Sequence, residues 1–324
     1  MELKTVKNYI PLFATIFVFL IIYTMGVMLY DNFLSLRVFL NLFLDNAFVG
    51  VIAVGMTFVI LSGGIDLSVG SVVAFVCILS AKLLEVYQIS PFLVVLVCLL
   101  FGVFLGTVMG AVIHFFAVPD FLVTLVGMFL CRGLAYMVDL QSIPIRDKLF
   151  LAVNTMGINF GGGVNFRLIS IIFILVWAAG VYISHYTRFG RNIYAIGGDV
   201  QSANLMGIPI GKTRILVYTM SSTLAALGGL LYAVYTLSGY AAAAQGLELD
   251  AIAAVVIGGT LLTGGVGFVE GTMVGVLILG LIQTFISFQG TLSSWWTNII
   301  IGLLIFSFIL LQRFLSLRSD TDQK

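Results

Sequence analysis

Charged residues make up only 9% of this 324-residue sequence, against roughly a quarter in an ordinary soluble domain. With 61% of the residues hydrophobic, a soluble fold could not clothe its exterior in polar groups. That shortage excludes a cytosolic enzyme and a secreted disulfide scaffold. The formal net charge is +1 and the fifteen Lys and Arg are scattered, so no basic face with interleaved aromatics is offered to nucleic acid. Histidine occurs twice, at His114 and His185. Neither sits in a nucleophile motif, no H-E-x-x-H is present, and both read as helix-end residues facing headgroups. No catalytic residue and no metal site is expected. The three cysteines, Cys77, Cys98 and Cys131, lie in apolar runs without a C-x-x-C pair and read as small hydrophobes. What remains is an all-α integral membrane protein.

A bilayer core of about 30 Å needs about 20 apolar residues in a helix. Ten segments qualify: 10–30, 47–62, 67–81, 92–118, 121–138, 168–186, 215–237, 247–263, 269–288 and 294–311. The first is too long for a cleavable signal and reads as a retained span. Those at 47–62, 67–81 and 247–263 are short and are interrupted by Gly63-Gly64 and Gly264-Gly265, as half-helices or re-entrant elements would be. The expected architecture is a single polytopic bundle of about ten transmembrane helices over 1–324, some short or broken. Lys and Arg favour the cytoplasmic side. Nine of the fifteen fall at the N-terminus (Lys4, Lys7), in the polar loop 187–214 (Arg188, Arg191, Lys212, Arg214) and in the tail (Arg313, Arg318, Lys324). Five (Arg37, Lys82, Arg146, Lys148, Arg167) fall opposite, and Arg132 lies within a segment. Both termini are therefore expected in the cytoplasm.

One internal echo is visible. LSGGIDL at 61–67, followed by Gly70-Ser71, matches LTGGVGF at 262–268, followed by Gly271-Thr272, at a constant offset of 201. Interrupted helices at matching places in two halves mark a transport path. Gly102/Gly106/Gly110 and Gly271/Gly275 are small-x-x-x-small patterns for close helix packing. Asp66 follows the first break and is placed to cap the next helix. Glu248, Asp250 and Glu270 open segments in the same way. Arg132 needs a carboxylate, backbone carbonyls or an aqueous cavity as partner.

The 187–214 loop predicts two helical turns at 200–206, with Gly207 as the stop and Pro209 beyond it. A short helix among cations, carrying apolar side chains, suits the docking of another protein. The run Gly207–Thr213 lacks the first glycine of a phosphate loop, because position 206 is Met, so this chain is not expected to hydrolyse ATP. Nothing resembles the row of embedded carboxylates of a proton relay, which argues against the alternative of an ion-coupled carrier.

Several stretches resemble a known family. DNAFVGVIAVGMTFVILSGGIDLSVGS at 45–71, RFGRNIYAIGGD at 188–199 and LELDAIAAVVIGGTLLTGGVG at 247–267 look like the inner-membrane permeases of ribose-type ABC sugar importers. SANLMGI and GTLSSWWT (290–297) resemble the galactofuranose importers within it. Asp199 departs from the asparagine that often follows the two glycines. The resemblance implies a second permease subunit and cytosolic ATPases that carry the ATP and Mg. It also implies a periplasmic sugar-binding protein and a monosaccharide, with no cofactor on this chain. It places coupling to the ATPase at Arg188, Gly190, Arg191, Gly197, Gly198, Asp199, Asn204 and Gly207. The path is expected at Gly63, Gly64, Asp66, Gly264 and Gly265, with Asn46, Thr57, Gln245 and Gln283 as polar liners. Trp295 and Trp296 read as interfacial anchors.

Overall fold

Apolar chain in a bilayer must close its backbone hydrogen bonds internally, and helices do so. The computed structural model describes residues 2–161, 164–290, 296, 298–308 and 310, with side chains from residue 12 onward. Its helices are α1 (Glu2–Leu29), α2 (Leu36–Asp45), α3 (Ala47–Leu61), α4 (Val69–Glu85), α5 (Pro91–Phe115), α6 (Asp120–Val138), α7 (Lys148–Thr155), α8 (Leu168–Tyr186), α9 (Arg188–Gly198), α10 (Val200–Leu205), α11 (Ile210–Thr236), α12 (Leu247–Ile257) and α13 (Val269–Gln289). A last helix, α14, covers Asn298–Phe308. Two small antiparallel pairs complete the described structure: β1 (Ile143–Pro144) with β4 (Ser238–Gly239), and β2 (Gly157–Asn159) with β3 (Asn165–Arg167).

Six described helices are long and apolar enough to cross a bilayer, or seven if α2 and α3, bent by 54°, form one span. The expected count of ten is therefore approximate. α4 and α12 are shorter, and α12 stops at Ile257 because the chain turns at Gly258 and Gly259 instead of running on to 263. α2 was not anticipated, since Arg37, Asn41 and Asp45 interrupt its apolar pattern. The bend sits at Asn46, whose amide donates to Leu42 O at 3.0 Å. Gly280 of α13 lies directly against that amide, where any Cβ would collide with it. Of the tenth segment residues 296, 298–308 and 310 are described; Trp295 and the tail cations Arg313, Arg318 and Lys324 lie outside the described residues, and Trp296 is half exposed.

The helices form an inner and an outer layer. Over half of the apolar window of α11 and α13 is buried, against a third or less for α5, α6 and α8. α3 is buried along almost its whole length. Close approach of α5 to α11 uses the predicted glycine stripe: a Cβ at Gly102, Gly106 or Gly110 would strike Ser222, Thr219 or Ile215 respectively. Gly275 and Gly271 likewise seat α13 against Ala254 of α12 and Gly258 just beyond it.

The sequence echo is also a structural one. Gly63 and Gly264 have φ of +83° and +84°, a left-handed conformation that glycine adopts without a Cβ penalty. Each donates its N–H to the carbonyl three residues back, Ile60 at 2.9 Å and Leu261 at 3.1 Å. Both breaks lie at the end of the molecule that carries α9. At the opposite end, Lys82 pairs with Asp139 at 2.7 Å, and Asn154 of α7 donates to Val234 O at 2.7 Å at the end of α11.

Candidate functional site

The residues singled out in the sequence gather at three depths. The first is a seam where the two helix breaks meet α9. Gly265 N–H donates to Leu61 O at 2.9 Å, and Gly197 of α9 lies against both of those backbone groups, with no room for a Cβ. Tyr194 of α9 donates its hydroxyl to Gly267 O at 2.9 Å. At its start, α9 is capped by Thr187 Oγ1, which accepts from Gly190 N at 3.1 Å. Gly190 in turn rests on the backbone of Ile183 and Ser184 in α8.

The predicted turns at 200–206 are α10, but α9 is an additional helix of eleven residues that was not anticipated. Its three glycines mask its propensity, and the packing of Gly190 and Gly197 against backbone compensates. Asp199 separates α9 from α10 and caps the latter: Oδ1 accepts from Ser202 N at 2.6 Å. That hydrogen bond holds the Asp199 carboxyl below the usual carboxylate range. Gly207, with φ of +72°, ends the turn by donating to Asn204 O at 2.9 Å. Arg188, Arg191, Gly198, Asp199, Asn204 and Gly207 are exposed, whereas Gly190 is buried. Leu205 and Met206 project from the surface, 88% and 68% exposed. Lys212 and Arg214, expected in the loop, belong to the first turns of α11.

Asp66 and Asp120 brace the first break from beneath. Asp66 is fully buried. Its Oδ1 accepts from the backbone N and the hydroxyl of Ser68 at 2.9 and 2.6 Å. Its Oδ2 accepts from Ser221 of α11 at 2.8 Å. The expected cap is thus shifted: α4 begins at Val69, and Asp66 secures the turn before it and joins that turn to α11. Asp120, which the sequence reading missed, accepts from Ile65 N at 2.5 Å and Tyr218 Oη at 3.2 Å. A polar cavity of about 240 Å³ lies here, lined by Ser62, Gly63, Gly64, Asp120, Arg214 and Tyr218 among others. Nearby, His185 pairs with Glu270 at 2.7 Å and ties α8 to the first turn of α13, and His114 packs on Gly211. Both histidines sit in the last turn of their helices, as expected, and each also makes a contact that residue order did not show.

The second place is a cavity of about 450 Å³ at the α2–α3 bend, toward the opposite end. Asn46 and Gln283 both line it, with Asn41, Asp45, Phe48 and Tyr235. Asp45 Oδ1 accepts from Tyr235 Oη at 2.9 Å, and Phe48 packs edge-on to Tyr232 with ring centroids 5.0 Å apart. Thr57 lies elsewhere. It is fully buried between α3 and α13, donates to Ala53 O at 2.7 Å and shares a 2.7 Å hydrogen bond with Thr272.

The third place is midway along α6. Arg132 Nη1 donates to Ala241 O and Ala243 O at 2.9 and 2.7 Å. Backbone carbonyls are thus the partners that its position demanded. The bonds hold the turn 240–246, in which Ala244 and Gly246 take φ of +56° and +80°, and that turn delivers the start of α12. A pocket of about 230 Å³ opens beside it, lined by Ser71, Met128, Phe129, Arg132, Tyr136, Gln245, Gly246 and Glu248. Gln245 is the one polar liner expected from sequence that falls here. Phe129, Arg132 and Tyr136 follow one another at helical spacing, a signal available in the sequence.

Among the described residues no group of three or more His, Cys, Asp or Glu could hold a metal ion. The family model described as the branched-chain amino acid transport system / permease component matches residues 38–309. The inner membrane ABC transporter permease protein YjfF of Escherichia coli K12 is 49% identical over 318 residues, 98% of this chain and 96% of that one. The fructose import permease protein FruG of Bifidobacterium longum is 38% identical over 316 residues, 96% of this chain and 92% of that one. The ribose import permease protein RbsC of Escherichia coli K12 is 36% identical over 276 residues, 85% of each chain. No solved structure matches the chain.

Proposed function

This chain belongs to the permease-component family of branched-chain amino acid transport systems, and we propose that it is the membrane subunit of an ATP-driven sugar importer. It is a multi-pass transporter component of the inner membrane and not an enzyme. The family description names amino acids, but relatives at 38% and 36% identity are named for fructose and ribose. A monosaccharide is therefore the substrate class, and galactofuranose is the proposed sugar on the strength of SANLMGI and GTLSSWWT.

The observation that carries this reading is the seam. A partner that moves α9 moves both helix breaks at once, because Gly197 sits against Leu61 and Gly265 together. Leu205 and Met206 on the neighbouring turn supply the apolar knob that a partner would bury. In this mechanism a cytosolic ATPase docks on α9–α10, on the same side as both termini. Closure of the ATPase dimer pushes α9 and re-sets the breaks. The sugar, released by a periplasmic binding protein, passes from the bend of α2–α3 toward the breaks between two permease subunits. ATP and Mg belong to the partner chain.

The test is reconstitution with the partner ATPase and binding protein in vesicles. ATP-dependent accumulation of labelled ribose, fructose or galactose is the expected result. Uphill accumulation by this chain alone would overturn the proposal in favour of a secondary carrier, and accumulation of branched-chain amino acids instead would overturn the substrate class.

A further inference from the structure

α6 is among the least buried of the long helices, yet it carries an arginine midway along its length. An arginine facing hydrocarbon is costly, and embedded ionisable groups face a bundle interior or a water-filled path. Arg132 is flanked on its own stripe by Phe129 and Tyr136, 65% and 40% exposed. That stripe lines the pocket beside the 240–246 turn, which gives the guanidinium a polar surround in place of hydrocarbon. Across the pocket stand Gln245, Glu248 and Ser71.

The two interrupted helices bring their starts to the same spot. α4 begins at Val69 and α12 at Leu247, and a Cβ on Gly70 would run into the Glu248 carboxylate. Glu248 Oε2 is buried and accepts no hydrogen bond among the described residues. Half-helix starts that converge within a bundle are the geometry of substrate sites in transporters. Here they accompany one guanidinium, one carboxylate, an amide, two hydroxyls and two aromatic rings. Several hydroxyls in fixed positions and an apolar ring face are what such a set recognises.

We infer that the pocket of Arg132, Tyr136, Gln245 and Glu248 is a monosaccharide site within the passage, which sorts sugars after their release from the binding protein. Arg132 has a second task, because it also holds the 240–246 turn that positions Gln245 and Glu248. The inference rests on the sugar-import reading.

The full transporter in vesicles tests it. Tyr136→Phe, Gln245→Ala and Glu248→Gln should each raise the KM for uptake about threefold to tenfold, the effect of one lost hydrogen bond. They should also shift the preference among labelled ribose, fructose and galactose, while ATPase stimulation by the binding protein is kept. Unchanged KM and unchanged preference in all three variants would overturn the site and leave the sugar-import reading standing. Absence of ATP-dependent uptake of any of these sugars by the unmodified transporter would instead remove the reading itself. Should a variant fail to reach the membrane, Gln245→Cys gives an independent readout. Its labelling by a maleimide should be slowed by the transported sugar, and a rate indifferent to sugar overturns the site.

Discussion

Gly265 donates its backbone N–H to the carbonyl of Leu61 across 2.9 Å, and so joins two helix breaks that are 201 positions apart in the sequence echo. Gly197 of α9 lies on this junction. The contact is backbone to backbone on all three sides, which leaves no flexible side chain to absorb a displacement. In the proposed mechanism this is the contact through which motion of α9 reaches the breaks.

Adjacent glycines of α9 should behave differently. A Cβ on Gly197 meets the backbone of Leu61 and Gly265, whereas one on Gly198 meets nothing within 4 Å. Overpacking against backbone costs about 1–3 kcal/mol. Gly197→Ala should lower ATP-driven uptake about tenfold at this cost while the protein stays in the membrane, and Gly198→Ala should leave uptake unchanged. Vesicle uptake, normalised to permease content, decides. Equal effects of the two substitutions would remove the seam from the mechanism.

Asp66 should matter for folding more than for transport. Replacing it by Ala strands the Ser68 N–H and the Ser221 hydroxyl, a loss of about 1–3 kcal/mol. The thermal midpoint in detergent should fall for Asp66→Ala and fall less for Asp66→Asn. Uptake per folded molecule should be retained, since no surface of this side chain is open to a solute.

Thr57 and Thr272 should couple energetically. Their shared hydrogen bond is fully buried, and such bonds between membrane helices average about 0.6 kcal/mol. Thr57→Val with Thr272→Val should be less destabilising than the sum of the single changes, and the KM for sugar should not move. A raised KM for Thr57→Val would show that this hydroxyl reaches the passage.

The cap on α10 should tolerate amide for carboxylate. Asn caps a helix as well as Asp, so Asp199→Asn should keep hydrogen-exchange protection across 200–206 and Asp199→Ala should lose it. The Asp199 carboxyl lies below its ordinary range through its hydrogen bond from Ser202. A depressed carboxyl stays charged as pH falls until its own lowered value is reached. Protection should therefore hold from about pH 8 to 5 and weaken only in stronger acid. A loss of protection near neutrality would contradict this cap.

Much of this architecture was readable from residue order. Apolar runs gave the long helices α5, α6, α8 and α13 to within a few residues, because a bilayer leaves the backbone no alternative to the helix. Glycine pairs marked both breaks, because left-handed backbone selects glycine. The stripe at Gly102, Gly106 and Gly110 foretold close packing for the same steric reason. α9 stayed hidden because glycine lowers local helix propensity, and the backbone against which Gly197 packs is supplied from far along the chain.

The assembly of candidate residues was less readable. Asn46 and Gln283 share one cavity, Gln245 belongs to another, and Thr57 and Asp66 line neither. Polar residues in a span look alike in sequence whether they satisfy a neighbouring helix or face water. Residue order alone settled that this chain crosses a membrane, where it is broken and which loop stands out from it, since those follow from hydropathy and glycine content. Only the tertiary structure decided that the two breaks touch, that α9 rests on both, and that Arg132 meets Glu248 across a pocket. Those depend on how helices far apart in the chain pack, and no local pattern encodes that.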